Sequence, residues 1–204
     1  MNVSLLDYGA GNLPSVERAL QRLGVQSERV STSAGVAKAS ALILPGVGHY
    51  GALIRALDRD ELRESLIAAI EGGVPFMGIC LGLQALFQNS EEAPDLRGLQ
   101  ILPGSVRVMS GAVKLPHMGW DQVQLKGESR LLEGVDSEAY FYFAHSYAAS
   151  YKADEQMETR ATCWYGDEFV AVTETKNIFA VQFHPEKSGD AGQRVLKNFL
   201  RIAA

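Results

Sequence analysis

The chain has 204 residues, 47% apolar and 21% charged, with a formal net charge of −5. That length can bury a core of its own, and the mild acidity leaves no global basic field to favour nucleic acid. No apolar run approaches the roughly 18 residues that span a bilayer, and two cysteines argue against a disulfide framework.

Val3–Leu6 reads as a strand. Asn12 is placed to cap a helix, with Pro14 in its first turn. Val16, Ala19, Leu20 and Leu23 follow at helical spacing until Gly24. Gln26–Val30 is a second strand, and Ala41–Leu44 a third that is expected to end at Pro45. Leu62, Leu66, Ile67 and Ile70 stripe a further helix, stopped by Gly72 and Gly73. Val74–Ile79 is a buried strand, Leu81–Gln88 begins a helix, and the acidic piece Ser90–Leu96 reads as a solvated loop.

The second half is richer in strand signal: Tyr140–Phe143, Phe169–Thr173 and Ile178–Phe183, with a hairpin turn at Tyr165–Glu168. Val195, Leu196, Phe199 and Leu200 return to helical spacing within Gly192–Ile202. The β-α-β order predicts an α/β fold: a mostly parallel sheet with helices on both faces and an added antiparallel portion. No linker divides the chain, so residues 1–204 are expected to form one domain. The start MNVSLLDYGAGN lacks the basic region and cleavage site of a signal peptide, which points to a reducing cytoplasm.

The stretch GICLG (Gly78–Gly82) has the form of a nucleophile elbow: strand, sharp turn, helix. Such a turn lifts the central Cys80 out at the C-terminal edge of a parallel sheet, and a helix N-terminus there favours thiolate over thiol. The N–H of Leu81 follows the nucleophile and can face a developing oxyanion. A nucleophilic cysteine needs a base, and of four histidines His184, in VQFHPEKSG, ends an apolar strand run. Glu186 lies two residues on and in extended backbone shares its face, so it can orient the imidazole. The Gly46-Val47-Gly48 segment after the third strand can bring backbone donors close to a ligand. Cys163, in ATCWYGD, has no elbow glycines and reads as structural. His49 can shape the site or simply pack, and His117 reads as a fold or interface residue.

Together PGVGHYG, GICLGLQ and FHPEKSG resemble the class I, triad-type glutamine amidotransferases. DYGAGNL, LPHMGWDQV, YFYFAHSY and HPEKSG are similar to the glutaminase subunits of imidazole glycerol phosphate synthase, which serve histidine biosynthesis. No Cys/His cluster has metal-ligand spacing, so no metal and no cofactor are expected. The resemblance implies a flavodoxin-like fold. It implies that Cys80 attacks the side-chain amide of glutamine, that His184 moves the protons and that Glu186 orients it. Gln84 and the His145-Ser146-Tyr147 segment would hold the amino-acid end of glutamine, with Gly46, Val47, Gly48 and Leu81 around the oxyanion. It also implies a heterodimer with a (β/α)8-barrel cyclase that consumes the ammonia, with Asn12, Tyr142 and Lys187 at the interface around the ammonia path. The rival readings are an amidotransferase subunit of another pathway, a stand-alone cysteine amidohydrolase and a catalytically silent regulatory module.

Overall fold

Alternation along the apolar strands sorts their side chains onto two faces of one sheet. In the computed structural model, which describes residues 3–150 and 159–204, strands and helices alternate first. These are β1 (Val3–Leu6), α1 (Leu13–Arg22), β2 (Ser27–Val30), α2 (Ser33–Ala37), β3 (Leu42–Gly46), α3 (Tyr50–Arg59), α4 (Leu62–Glu71), β4 (Phe76–Cys80) and the short α5 (Leu81–Gln84). Strands then dominate: β5 (Asn89–Ser90), β6 (Ser105–Val108), β7 (His117–Gln122), β8 (Gln124–Leu125), β9 (Tyr140–His145) and β10 (Tyr147–Ala149). Next come β11 (Thr159–Tyr165), β12 (Asp167–Thr175) and β13 (Ile178–Val181), a 3₁₀ turn (Pro185–Lys187) and α6 (Gly189–Ile202).

The main sheet has eight strands in the order β2-β1-β3-β4-β13-β12-β11-β8. It is parallel from β2 through β13 and antiparallel from β13 to β8. Smaller sheets pair β10-β6-β5 and β7-β9. One face buries Leu42, Leu44 and Phe76 against Leu53 and Leu57 of α3 and Leu62 and Leu66 of α4. The other buries Ile43, Met77 and Ile79 with Val16 and Leu20 of α1 and Leu196 and Phe199 of α6. Each such side chain contributes about 1.5–3 kcal/mol when fully buried. This is the expected α/β architecture with an antiparallel extension. The hairpin at Tyr165–Glu168 forms as expected, with Gly166 at φ 72 and Tyr165 opposite Asp167. Among the described residues no helix is long and apolar enough to cross a membrane.

Two expected boundaries move. The third strand runs through Pro45 to Gly46, which pairs with Cys80. Ala41 faces β1 and Leu42 faces β4, so alternation turns Pro45 toward β1, whose pairing with β3 stops at Ile43. The missing proline N–H therefore costs no ladder bond. The helix expected over Leu81–Gln88 stops as α5, because the returning chain takes its carbonyls. The N–H of Leu99 bonds Ala85 O at 2.7 Å, and those of Ile101 and Leu102 both bond Leu86 O at 2.9 Å.

Candidate active site

The joint between β4 and α5 is strained where the chemistry is expected. Cys80 has φ 53 and ψ −104, a region that costs a non-glycine residue about 1–3 kcal/mol. Packing holds it there. A Cβ on Gly82 would lie 2.0 Å from Leu44 O, and one on Gly78 would lie 2.7 Å from Gly82 O. At Gly46 it would lie 2.6 Å from Leu81 Cβ, so the three glycines let α5 seat directly on β3 and β4. The helix-end argument for the thiolate weakens, however. A macrodipole sums aligned peptides, and α5 supplies only four residues.

His184 is hydrogen-bonded to Cys80. Parallel pairing of β13 with β4 sets Val181 opposite Ile79, so the chain beyond β13 emerges beside Cys80. His184 Nδ1 and Glu186 Oε1 are 2.9 Å apart, each side chain 2% exposed. A carboxylate only accepts, so the proton sits on Nδ1 and Nε2 is left for other work. The two side chains do not meet through extended backbone, as the two-residue spacing suggests. Pro185 starts a 3₁₀ turn, closed by Lys187 N–H on His184 O at 3.0 Å, and the turn folds Glu186 back under the ring. Burial favours a neutral imidazole, but the charge of and hydrogen bond with Cys80, together with those of Glu186, outweigh it and push His184 up to about 10. The backbone is tied down as well: Ser188 Oγ donates to His184 O at 2.7 Å and accepts from Tyr142 N–H at 3.0 Å.

Cys80 and His184 open into a cavity of about 460 Å³ at the C-terminal ends of the parallel strands, where ligand sites of such sheets lie. Val47, Gly48 and Leu81 border it on the elbow side, Gly48 with φ 96. Gln84, His145, Ser146 and Tyr147 line it as well. Asn12, Tyr142 and Lys187 line the mouth, and Asn12 makes no side-chain cap to α1 despite its position. Gly46 lies beneath Leu81, off the wall, and Glu186 stands behind His184. All the predicted site residues thus gather at one sheet edge, although Gly46 and Glu186 do not line the cavity.

Two residues at the site, one on the cavity wall and one buried behind it, go unmarked in the sequence. Glu92 lies in the stretch read as a solvated loop, yet it lines the cavity, and its Oε2 accepts from Tyr50 N–H at 2.7 Å at the start of α3. Gln182 is wholly buried with its Nε2 3.5 Å from Cys80 Sγ. Its signal was a lone amide inside the apolar run IFAVQF.

The other histidines and the second cysteine have separate settings. His145 donates from Nδ1 to Tyr147 O at 3.0 Å, and burial, then the neighbouring His117, pull it down to about 3. His117 is stacked between Phe143 and Tyr165 and buried, which makes it a fold residue. His49 caps α3, its Nδ1 accepting from Gly51 N–H at 3.0 Å. Burial pushes the Cys163 thiol up to about 12, which keeps it unreactive.

A cysteine on a strained elbow, an imidazole beside it and a carboxylate behind the imidazole are equipped for acyl transfer from an amide. Residues 4–203 match the family described as glutamine amidotransferase class-I, and the chain belongs to that family. It is 45% identical over 200 residues, 98% of each chain, to the imidazole glycerol phosphate synthase subunit HisH of Methanothermobacter thermautotrophicus. It is 42% identical over 200 residues to the chloroplastic imidazole glycerol phosphate synthase hisHF of Arabidopsis thaliana, matching 97% of this chain and 34% of that longer protein. The crystal structure of a glutamine amidotransferase shares the fold, at TM-score 0.78, with 21% identity and 98% of each chain covered.

Proposed function

We propose that this chain is the glutaminase subunit of imidazole glycerol phosphate synthase, acting as one cytoplasmic amidotransferase domain. The Cys80–His184–Glu186 constellation beside the strand-end cavity carries the reading. The sulfur attacks the side-chain amide carbon of glutamine, and the carbonyl π pair moves to oxygen. Leu81 N–H and the peptides of the Gly46–Gly48 segment face that oxyanion. His184 protonates the departing nitrogen, ammonia leaves, and a glutamyl thioester remains. Water, deprotonated by His184, releases glutamate and restores the sulfur.

The substrate's amino-acid end fits the cavity wall at Gln84. Gln84 commits its NH₂ to Tyr147 O and Gln182 Oε1, so it offers its own oxygen. Glu92 supplies a negative charge to meet the α-ammonium group, beside the His145-Ser146-Tyr147 backbone. The cavity mouth faces the acceptor of the ammonia, a cyclase subunit of (β/α)8-barrel form in a heterodimer. Lys187 Nζ lies 5.5 Å over the Tyr142 ring, and Trp120, 53% exposed, packs on Tyr142 with ring centroids 5.9 Å apart. Met118, 64% exposed, lies beside them on β7. Exposed aromatic and methionine side chains of this kind are enriched at protein interfaces. The HisH and hisHF names of the relatives favour this pathway over other amidotransferase subunits.

The test is Cys80→Ala in the complex with the cyclase. Glutamine-dependent synthesis is lost, while added ammonium still supports the cyclase product. Glutamine hydrolysis that survives the substitution would remove Cys80 from the role.

A further inference from the structure

Gln182 sits between Val181 and Phe183 with none of its surface exposed. The orientation of its amide is dictated by a chain that begins at a main-chain oxygen. Tyr147 O can only accept, so the Gln84 group 2.7 Å from it is its Nε2. That same nitrogen lies 3.2 Å from Gln182, which must answer with its oxygen. The remaining end of the Gln182 amide, the NH₂, then points at Cys80 Sγ from 3.5 Å. The His145 imidazole bonds the same Tyr147 oxygen at 3.0 Å and steadies the start of the chain.

We propose that Gln182 is a further catalytic residue of the glutaminase reaction, donating an amide N–H to the Cys80 thiolate. This rests on Cys80 being the nucleophile. A hydrogen bond to an anion is stronger than one to a neutral group, and a buried one is stronger still. It stabilises the thiolate where the short α5 cannot. In acylation the S–C bond forms, the carbonyl π pair moves to oxygen, and the sulfur loses its charge, so the N–H···S bond weakens. In deacylation water adds to the thioester, the S–C bond breaks with its electron pair returning to sulfur, and Gln182 regains its acceptor. The donor therefore favours the resting thiolate and its departure as a leaving group. It also blunts the sulfur's intrinsic nucleophilicity, which falls as a thiolate is stabilised.

The test reads the sulfur directly, without glutamine or the partner. Iodoacetamide labelling of Cys80 is followed by peptide mass mapping from about pH 5 to pH 9 in the parent, Gln182→Met and Gln182→Glu. In Gln182→Met the profile moves to higher pH, and labelling at neutral pH falls about 10- to 100-fold. At the alkaline end the curves cross, because the freed sulfur is the better nucleophile. Gln182→Glu, the same shape with oxygen toward sulfur, falls at least as far. Gln84→Met, which leaves Gln182 in place but frees its amide to turn, gives a smaller shift in the same direction. Circular dichroism establishes that each variant is folded. Coincident profiles for the parent and a folded Gln182→Met would overturn the proposal, and if that variant does not fold, coincidence for Gln182→Glu or Gln84→Met does the same. A parent Cys80 that resists labelling across the whole range would instead overturn the nucleophile reading.

Discussion

Gly82→Ala is the sharpest probe of the elbow. The added Cβ would lie 2.0 Å from Leu44 O and 3.1 Å from Leu44 C, whereas real Cβ atoms essentially never come within 3.0 Å of another heavy atom. The obstacle is backbone in a fully buried strand held by β4, so it cannot swing aside. The elbow turn and β3 must separate by about 1 Å, carrying Cys80 and the Leu81 N–H away from the base and the cavity. A displacement of that size at reacting groups costs on the order of 10²-fold, about 2.7 kcal/mol of barrier. Gly78→Ala meets Gly82 O at 2.7 Å and needs only a few tenths of an ångström, so its loss is smaller. Gly48→Ala meets nothing within 4 Å and suffers only from its φ of 96, about 1–2 kcal/mol of local strain. The assay is glutaminase kcat/KM with the partner present, beside ammonium-dependent synthesis and a thermal melt. A Gly82→Ala enzyme within about threefold of the parent, or one no worse than Gly48→Ala, refutes the close-packing account.

The histidines set opposite limbs of a pH–stability curve. His145, lowered to about 3, refuses a proton that the unfolded chain accepts below about 6.5. Stability from this group therefore falls as pH drops, by about 2 kcal/mol at pH 5, and urea melts of His145→Asn should show a flatter acid limb. His184, raised to about 10, contributes stability that is complete below about 6.5 and lost as pH climbs toward 10. The same melts on Cys80→Ala should show that alkaline limb shrink, since the sulfur's charge helps hold the imidazolium. Asn198 Nδ2 donates to Leu131 O and Glu133 O, both at 2.8 Å. Its replacement by Ala should cost about 2–3 kcal/mol and lower Tm by about 4–12 °C, with kcat/KM unchanged. Trp120→Ala and Lys187→Ala should weaken cyclase binding about 10- to 100-fold in titration calorimetry while leaving the melt of the lone chain in place.

The elbow was legible because glycine spacing is local: GICLG writes its own close contacts. The meeting of His184 with Glu186 was legible, but through the wrong backbone, since Pro185 starts a tight turn instead of extending the strand. Glu92 was hidden by its neighbours. A run of acidic residues reads as solvated, and only the tertiary placement of α3 turns one of them inward to meet Tyr50 N–H. The helix itself was missed because it opens on His49, a poor advertisement for an N-cap, although Tyr50, Leu53, Ile54 and Leu57 keep helical spacing. The length of α5 was beyond local reading, because a segment some fifteen residues downstream decides where its carbonyls bond. Gln182 was the missed opportunity: a polar side chain inside a buried strand run needs partners, and that need was visible in the letters.

The insertion of β13 between β4 and β12 has a consequence for biosynthesis. Cys80 is translated first, and Gln182, His184 and Glu186 follow about a hundred residues later. Until that late strand slots into the sheet, Cys80 has neither the imidazole nor the amide beside it. The order of synthesis thus completes this cluster last: the sulfur meets its polar neighbours only when β13 takes its place beside β4.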